Sequence, residues 1–287
     1  MDKDREKFLA KTALEVRKDV VRTIGVANAS HLASSLSVVD ILVYLYWQVM
    51  RIDPQRPDWK GRDRLVFSKG HACPALYAVL ARLGFFDREE LWSYRRLGSM
   101  LQGHPEYRRT PGIDASSGSL GMGLGIAVGM ALSLRLRKSA SKVYCLLGDG
   151  EFQEGVVWES IMNASHYKLD NLTAIVDVNG YQMEGRTENI SNLDPMEEKL
   201  EVFGWKVLSC DGHNLKELEK AFTEINMHKG SPTIILARTR LGKGIKKIEE
   251  GVLRPTEPVT RLLMEEALRD LETFDKAYFQ EGEERSE

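Results

Sequence analysis

Lys142-Val143-Tyr144-Cys145-Leu146-Leu147 ends at Gly148-Asp149-Gly150-Glu151, and Leu172-Thr173-Ala174-Ile175-Val176 ends at Asp177-Val178-Asn179-Gly180-Tyr181. These two stretches decide the fold. Each opens as a short apolar run without polar alternation, the pattern of a strand buried on both faces in a parallel sheet. Between them, Glu154 to Tyr167 carries its apolar residues at helical spacing. The alternation continues: Lys206 to Ser209 and Thr233 to Ala237 read as strands flanking a helix over Leu215 to Met227. The expectation is an α/β fold, a doubly wound, mostly parallel sheet with helices on both faces.

Toward the N-terminus, Asp63-Arg64-Leu65-Val66-Phe67 reads as another short strand running into a Gly70-His71 turn, with a helix from Pro74 to Leu83 after it. Phe8, Leu9, Ala13, Val16, Val20 and Ile24 recur at three- and four-residue steps, which marks an amphipathic helix over Glu6 to Ile24. The same spacing gives a helix over Ser37 to Met50, and Pro54 and Pro57 break the pattern into a loop. No internal repeat or long linker interrupts the chain. Residues 1–287 are therefore read as one domain, with an acidic tail, Gln280 to Glu287, expected to fray.

The 40 Lys plus Arg against 42 Asp plus Glu leave a formal charge of −2, which speaks against a nucleic-acid partner. At 43% hydrophobic residues the chain has the material for a core and not the composition of a disordered segment. The opening MDKDREKFLAK has no apolar segment, and the longest apolar run, Ile41 to Trp47, is too short to cross a bilayer. A cytoplasmic protein without a membrane partner is expected. Cys73, Cys145 and Cys210 form no CxxC pair and cannot all pair with one another, so no disulfide framework or cysteine zinc site is indicated.

Ligands of an open parallel sheet collect at the carboxyl ends of its strands, where the clusters at 148–151 and 177–181 stand. Taken singly, Asp-Gly and Asn-Gly are ordinary turn dipeptides. As a pair at neighbouring strand ends they supply an Asp carboxylate, an Asn amide oxygen and a backbone carbonyl. Magnesium accepts such hard oxygen ligands beside diphosphate oxygens and water. The glycines let backbone approach phosphate closely, and the helix near Glu154 can direct its N-terminus at it.

This pair resembles the thiamine diphosphate signature, a Gly-Asp-Gly followed at a distance by an Asn, here thirty residues from Asp149 to Asn179. The resemblance extends along most of the chain to the transketolase family, specifically its amino-terminal, diphosphate-binding domain. Ala27-Asn28-Ala29-Ser30-His31 resembles the opening histidine motif, DRLVFSKGH from Asp63 to His71 the second, and Gly103-His104-Pro105-Glu106 the third. Ser116 to Gly123 is similar to the glycine segment beside the cofactor's pyrimidine.

What the resemblance implies is thiamine diphosphate, which supplies a carbanion-stabilising ylid, with magnesium (or calcium or manganese) held by Asp149, Asn179 and Tyr181. It implies cofactor contacts from His71, Asp149, Gly150 and Asn179, and backbone contacts to the pyrimidine from Gly118 and Leu120. His31, His71 and His104 would be catalytic, with near-neutral pKa values suited to proton transfer and to hydrogen bonds with sugar hydroxyls. Glu154 corresponds to a family glutamate that couples cofactor sites near the subunit interface. An exposed first-turn Glu stabilising its helix would look the same. His166, His213 and His228 match no cleft position, and Asp177 is assigned no metal contact. The Gly118 to Gly129 run is no dinucleotide fingerprint, because Ile126 stands where the third glycine belongs. Gly121, Gly123, Gly125 and Gly129 are read instead as permitting close helix packing.

Full-length transketolases continue into a second domain that covers the pyrimidine and carries the glutamate activating its ring nitrogen; this sequence stops where that domain would begin. The resemblance thus implies the amino-terminal subunit of a split transketolase, working with a carboxy-terminal partner as a two-plus-two heterotetramer. An apolar face over 120–130 and near Trp158 is expected to meet that partner. Family members carry a Gly-Lys-Gly turn, here Gly242-Lys243-Gly244, and then a His-Gly. No histidine follows His228 here. Arg254 or Lys243 could neutralise the diphosphate, but neither shuttles protons at neutral pH. The expected activity is transfer of a two-carbon ketol unit from a ketose donor to an aldehyde, with sugar phosphates as substrates. Two alternatives stay open. One is a pyruvate-using acyloin synthase or 2-oxo acid decarboxylating component, since His31 to Leu36 leans toward deoxyxylulose phosphate synthase while Gly118 to Gly121 leans toward transketolase. The other is a non-catalytic subunit that retains the fold.

Overall fold

The computed structural model describes residues 1–183, 185–251 and 256–284. Its strands are Arg64–Phe67 (β1), Val143–Gly148 (β2), Leu172–Val178 (β3), Tyr181–Gln182 (β4), Gly185–Arg186 (β5), Lys206–Asp211 (β6) and Thr233–Arg238 (β7). Five form a wholly parallel sheet in the order β1-β2-β3-β7-β6, and β4 and β5 pair as a small antiparallel hairpin. The helices are Lys3–Val26 (α1), Leu32–Leu36 (α2), Val39–Tyr44 (α3), Cys73–Leu83 (α4), Met122–Leu136 (α5), Gly155–His166 (α6), Thr187–Ile190 (α7), Met196–Val202 (α8), Leu215–Met227 (α9), Lys246–Glu249 (α10) and Arg261–Glu284 (α11).

Successive side chains on a strand face opposite ways, so the unbroken apolar runs feed two cores. Leu65, Phe67, Tyr144, Leu146, Ile175 and Ile235 face one core, filled from the other side by α1, α3, α4, α9 and α11. Val66, Cys145, Leu147, Ala174, Val176 and Leu236 face the second, closed by α5, α6 and α8. The expected doubly wound sheet is present, each expected strand within two residues of its place.

The helix expected over Ser37 to Met50 is broken differently. The stretch Leu32–Val49 has a mean hydropathy of 1.4 and is 83% buried inside the domain, so apolar residues point every way and their spacing carries no phase. It forms α2, a turn at Ser37 and Val38, α3, and then one π turn over Leu45–Val49, closed by the Met50 amide on the Leu45 carbonyl at 2.9 Å. α11 continues through Glu284 and packs on α1, with Ala267 and Leu271 fully buried. A Cβ at Gly25 of α1 would stand 2.5 Å from Met264 Sδ, so that glycine admits α11 at this distance. Residues 285–287 lie outside the described residues.

Pairing register positions the site. Gly148 is opposite Asp177, and Asp177 is opposite Ala237, so the loops after β2, β3 and β7 leave the sheet side by side. β1 ends opposite Leu146 and delivers Ser68, Lys69 and His71 to the same edge. The three cysteines are buried and unpaired, and burial pushes the Cys73 and Cys210 thiols up to about 12.

Candidate active site at the carboxyl edge of the sheet

Asp149, the first residue beyond β2, is 4% exposed. Its Oδ1 accepts the Gly150 amide at 2.8 Å and its Oδ2 the Gly180 amide at 2.7 Å, so one carboxylate ties the β2 and β3 loops together. Burial, together with the nearby Asp177 charge, pushes its pKa up to about 6 against the pull of those two amides. Asn179 donates through Nδ2 to Asp177 at 2.8 Å and accepts the Tyr181 amide on Oδ1 at 3.0 Å, leaving that oxygen a second lone pair.

Asp177 is the hub of this edge and is fully buried. Its Oδ2 accepts Lys69 Nζ at 2.5 Å and Ser37 Oγ at 2.7 Å, and its Oδ1 accepts Thr239 Oγ1 at 2.5 Å. Burial alone would raise its pKa, but the Lys69 ammonium and these hydrogen bonds hold it below the ordinary carboxylate range. Lys69, 1% exposed, also donates to the Ser34 carbonyl at 3.2 Å. Glu151 is a second buried clamp. It accepts the Ser68 hydroxyl, the Gly121 amide at 2.7 Å and the Gly148 amide at 3.1 Å, joining the ends of β1 and β2 to the glycine segment. Sequence reasoning gives neither Lys69 nor Glu151 a role, although both lie inside quoted motifs. A charged residue directly after a strand buried on both faces is the signal that could have found them.

The His31 and His71 rings lie 5.0 Å apart between centroids and are tilted by 50°, and His104 lines the same cleft. The expected near-neutral pKa values are corrected here. Burial, then the Lys69 charge and the other two imidazoles, pushes His71 down to about 3. Burial and the Arg95 guanidinium lower His31 and His104 as well. At neutral pH all three are uncharged, each offering one donor and one acceptor to hydroxyls and not an imidazolium. Gly118 is required opposite His104: its φ is +149° and a Cβ would lie 3.1 Å from the imidazole.

His31, His71, His104, Gly118, Leu120, Asp149, Gly150, Glu154, Asn179 and Tyr181 all line one cleft of about 510 Å³. Glu154 is exposed at the N-cap of α6 and makes no side-chain capping bond, while its charge lies at the helix N-terminus, so the geometry is compatible with both readings of it. The close-packing role of the glycines is real at Gly121, where a Cβ would meet Glu154 Cβ at 2.8 Å, and at Gly123, where it would meet Ser68 Oγ at 2.2 Å. It fails at Gly129, beside which nothing lies within 4 Å. Of the two cations considered for a diphosphate, Lys243 lies over the Phe274 ring and does not line the cleft, and Arg254 falls outside the described residues. The expected apolar face is present at Leu120 and Met122. Near Trp158, Met162 is 50% exposed, while Trp158 itself donates its indole to the Phe152 carbonyl at 2.7 Å and packs its ring on Phe203.

No cluster of three or more His, Cys, Asp or Glu side chains placed to hold a metal occurs among the described residues. A cation here would rest on one carboxylate, Asp149, with amide and carbonyl oxygens and oxygens of a bound anion. That is a donor set for magnesium and not for zinc. The buried carboxyls of Asp149, Asp177 and Glu151 face a single buried ammonium, so the local charge also fits a divalent cation.

Residues 9–252 match the family model described as transketolase, thiamine diphosphate binding domain. The chain belongs to the transketolase family. It is 42% identical over 257 residues to the 6-deoxy-6-sulfo-D-fructose transketolase subunit SqwG of Clostridium sp. (strain MSTE9), covering 90% of this chain and 94% of that one. It is 38% identical to an apulose-4-phosphate transketolase subunit of Phocaeicola vulgatus, across 89% of this chain and 90% of that one. Against human transketolase the identity is 38% over 94% of this chain but 43% of the longer protein. The solved transketolase of Campylobacter jejuni superposes with a TM-score of 0.84 at 32% identity, again over 43% of its length. The chain thus spans less than half of these full-length transketolases and nearly all of the two subunits. Transketolase-type, thiamine diphosphate-dependent transfer is the chemistry of the family, and these relatives lend no support to the pyruvate alternative.

The neutral histidines give a first expected result. His104 is exposed at the cleft mouth, so His104→Ala should leave unfolding free energy within about 0.5 kcal/mol of wild type, as surface substitutions do. Turnover of the assembled enzyme should fall roughly ten- to a thousandfold, the loss expected for a positioned proton-transfer or hydrogen-bonding group. A large loss of unfolding free energy, with turnover per folded molecule unchanged, would mark the residue as structural.

Proposed function

We propose that this chain is the diphosphate-binding subunit of a split transketolase, moving a two-carbon ketol unit from a ketose phosphate to an aldehyde once a separate carboxy-terminal chain closes over its cleft. The observation that carries the proposal is the meeting of Asp149 and Asn179, on adjacent strand ends, with three histidines in one cleft. The two subunit-length relatives support the division into two chains. A two-plus-two assembly follows from the family resemblance, and a reducing cytoplasmic setting suits three unpaired thiols.

Asp149, Asn179 and the Tyr181 carbonyl would hold magnesium, and Gly150 would lie beside the diphosphate: a Cβ there would come 2.8 Å from Gln182 Cβ, so only glycine keeps that wall open. Thiamine diphosphate, when bound, supplies the carbanion stabilisation that carbon–carbon cleavage needs. The protein's part is orientation and hydrogen bonding. His31 and His71 would form a paired wall with His104 in the same cleft, and neutral rings can donate or accept hydrogen bonds with substrate hydroxyls without placing a second positive charge beside Lys69. Glu154, exposed in the lining of the cleft, would meet a neighbouring subunit.

Titrating magnesium thiamine diphosphate into wild type and Asp149→Ala tests the metal assignment. Loss of a charged ligand should weaken binding by at least about tenfold, and equal affinity would remove it. Asp177→Ala does not serve as a neutral comparison, because Asp177 orients Asn179. With the partner present, product from xylulose phosphate supports ketol transfer, whereas product from pyruvate alone would overturn it.

A further inference from the structure

The loop after β7 forms one wall of the cleft: Thr239 is bonded to Asp177 and Leu241 lines the cavity. What holds this loop lies behind it. Arg17, 4% exposed, forms a bidentate pair with Asp40 at 2.9 and 2.5 Å and donates through Nε to the Lys243 carbonyl at 3.3 Å. Asp40 Oδ2 lies 2.6 Å from His213 Nδ1, and the Arg240 amide donates to His213 Nε2 at 2.8 Å. Because Nε2 accepts, the ring proton resides on Nδ1 and is donated to Asp40, so one tautomer satisfies both contacts. The Gly212 amide adds a bond to the Arg238 carbonyl at 2.7 Å. A Cβ at Gly212 would fall 2.7 Å from Thr239 Cγ2, so the turn can sit this close only with glycine. The hydrogen bonds therefore run from α1 through α3 and the 211–214 turn to the loop backbone, and end one residue from the Thr239–Asp177 bond.

We infer that His213 is a positioning residue: it fixes the backbone at Arg240 and so sets Thr239 and Leu241 for the diphosphate end of the cleft. The inference rests on the thiamine diphosphate reading of that cleft. Removing the imidazole leaves Asp40 paired with Arg17, so the core keeps its charge balance while the loop loses its anchor.

Three variants separate anchoring from a merely structural contact. Gln carries an amide oxygen toward the Nε2 position and can still accept the Arg240 amide; the shorter Asn reaches only Asp40. His213→Ala and His213→Asn should bind magnesium thiamine diphosphate about tenfold more weakly than wild type, the worth of one anchoring hydrogen bond, with faster amide exchange at Arg240 and Leu241. His213→Gln should stay within about threefold of wild type, and all three should melt close to it. Unchanged affinity in His213→Ala, or a His213→Gln as impaired as His213→Ala, would overturn the inference. A wild-type chain that binds no thiamine diphosphate would instead sink the cofactor reading. Amide exchange then still decides on the loop: unchanged exchange at Arg240 in His213→Ala overturns the positioning role.

Discussion

Assayed alone with thiamine diphosphate and magnesium, this chain should show no ketol transfer at any cofactor concentration, and activity should appear on adding a carboxy-terminal transketolase subunit. Asp149, Gly150, Asn179 and the buried Lys69–Asp177 pair form the proposed metal and diphosphate end. The other side of the cleft is open, with Leu120 36% and Met122 50% exposed beside it. Reacting groups there would stay hydrated, and the electrostatic advantage of a closed site would be lost. The buried Glu151 cannot take over activation of the pyrimidine, since Ser68, Gly121 and Gly148 already occupy its carboxylate. Full turnover from the chain by itself would show that the two-chain proposal is wrong.

Asp177→Ala should destabilise the fold by about 3–5 kcal/mol, the cost of stranding one member of a buried ion pair. Lys69 would keep its charge at 1% exposure with only the Ser34 carbonyl beside it, and the Ser37 and Thr239 hydroxyls would lose their acceptor. The double variant Asp177→Ala with Lys69→Met should recover much of that loss, because no uncompensated charge remains. Denaturant unfolding of wild type, both single variants and the double variant completes the cycle. A single variant within about 1 kcal/mol of wild type would mean that the pair is not a structural hub.

The same residues show what sequence can and cannot disclose. β2, β3 and β7 are legible because strands buried on both faces must be apolar throughout, and the two polar clusters are legible because carboxylates at the end of an apolar run are costly to bury without partners. The segment Leu32–Val49 is not, since burial on every side erases the periodicity that marks a helix and its breaks. Each of the ten site residues lines the cleft, yet their supports are hidden. Lys69 resembles any surface lysine until a carboxylate from residue 177 is found beside it, and His213 resembles a turn histidine until Asp40 and Arg240 are found on its two nitrogens. Such partners come from 108, 173 and 27 residues away, separations at which local spacing carries no information. The histidine pKa values escape a sequence reading for the same reason, because burial and neighbouring charge are properties of the assembled cleft.

The three buried cysteines make the chain its own clock for local opening. Cys145 lies within β2, an interior strand of the sheet, Cys73 lies against the His104 loop with its Sγ 3.3 Å from the Gly103 carbonyl, and Cys210 lies on the edge strand β6. A thiol held protonated and out of solvent reacts with a disulfide reagent only while its surroundings are open. Three separate labelling rates would therefore time three separate events: unfolding of the sheet, lifting of the cleft's histidine loop, and fraying of the edge that carries His213.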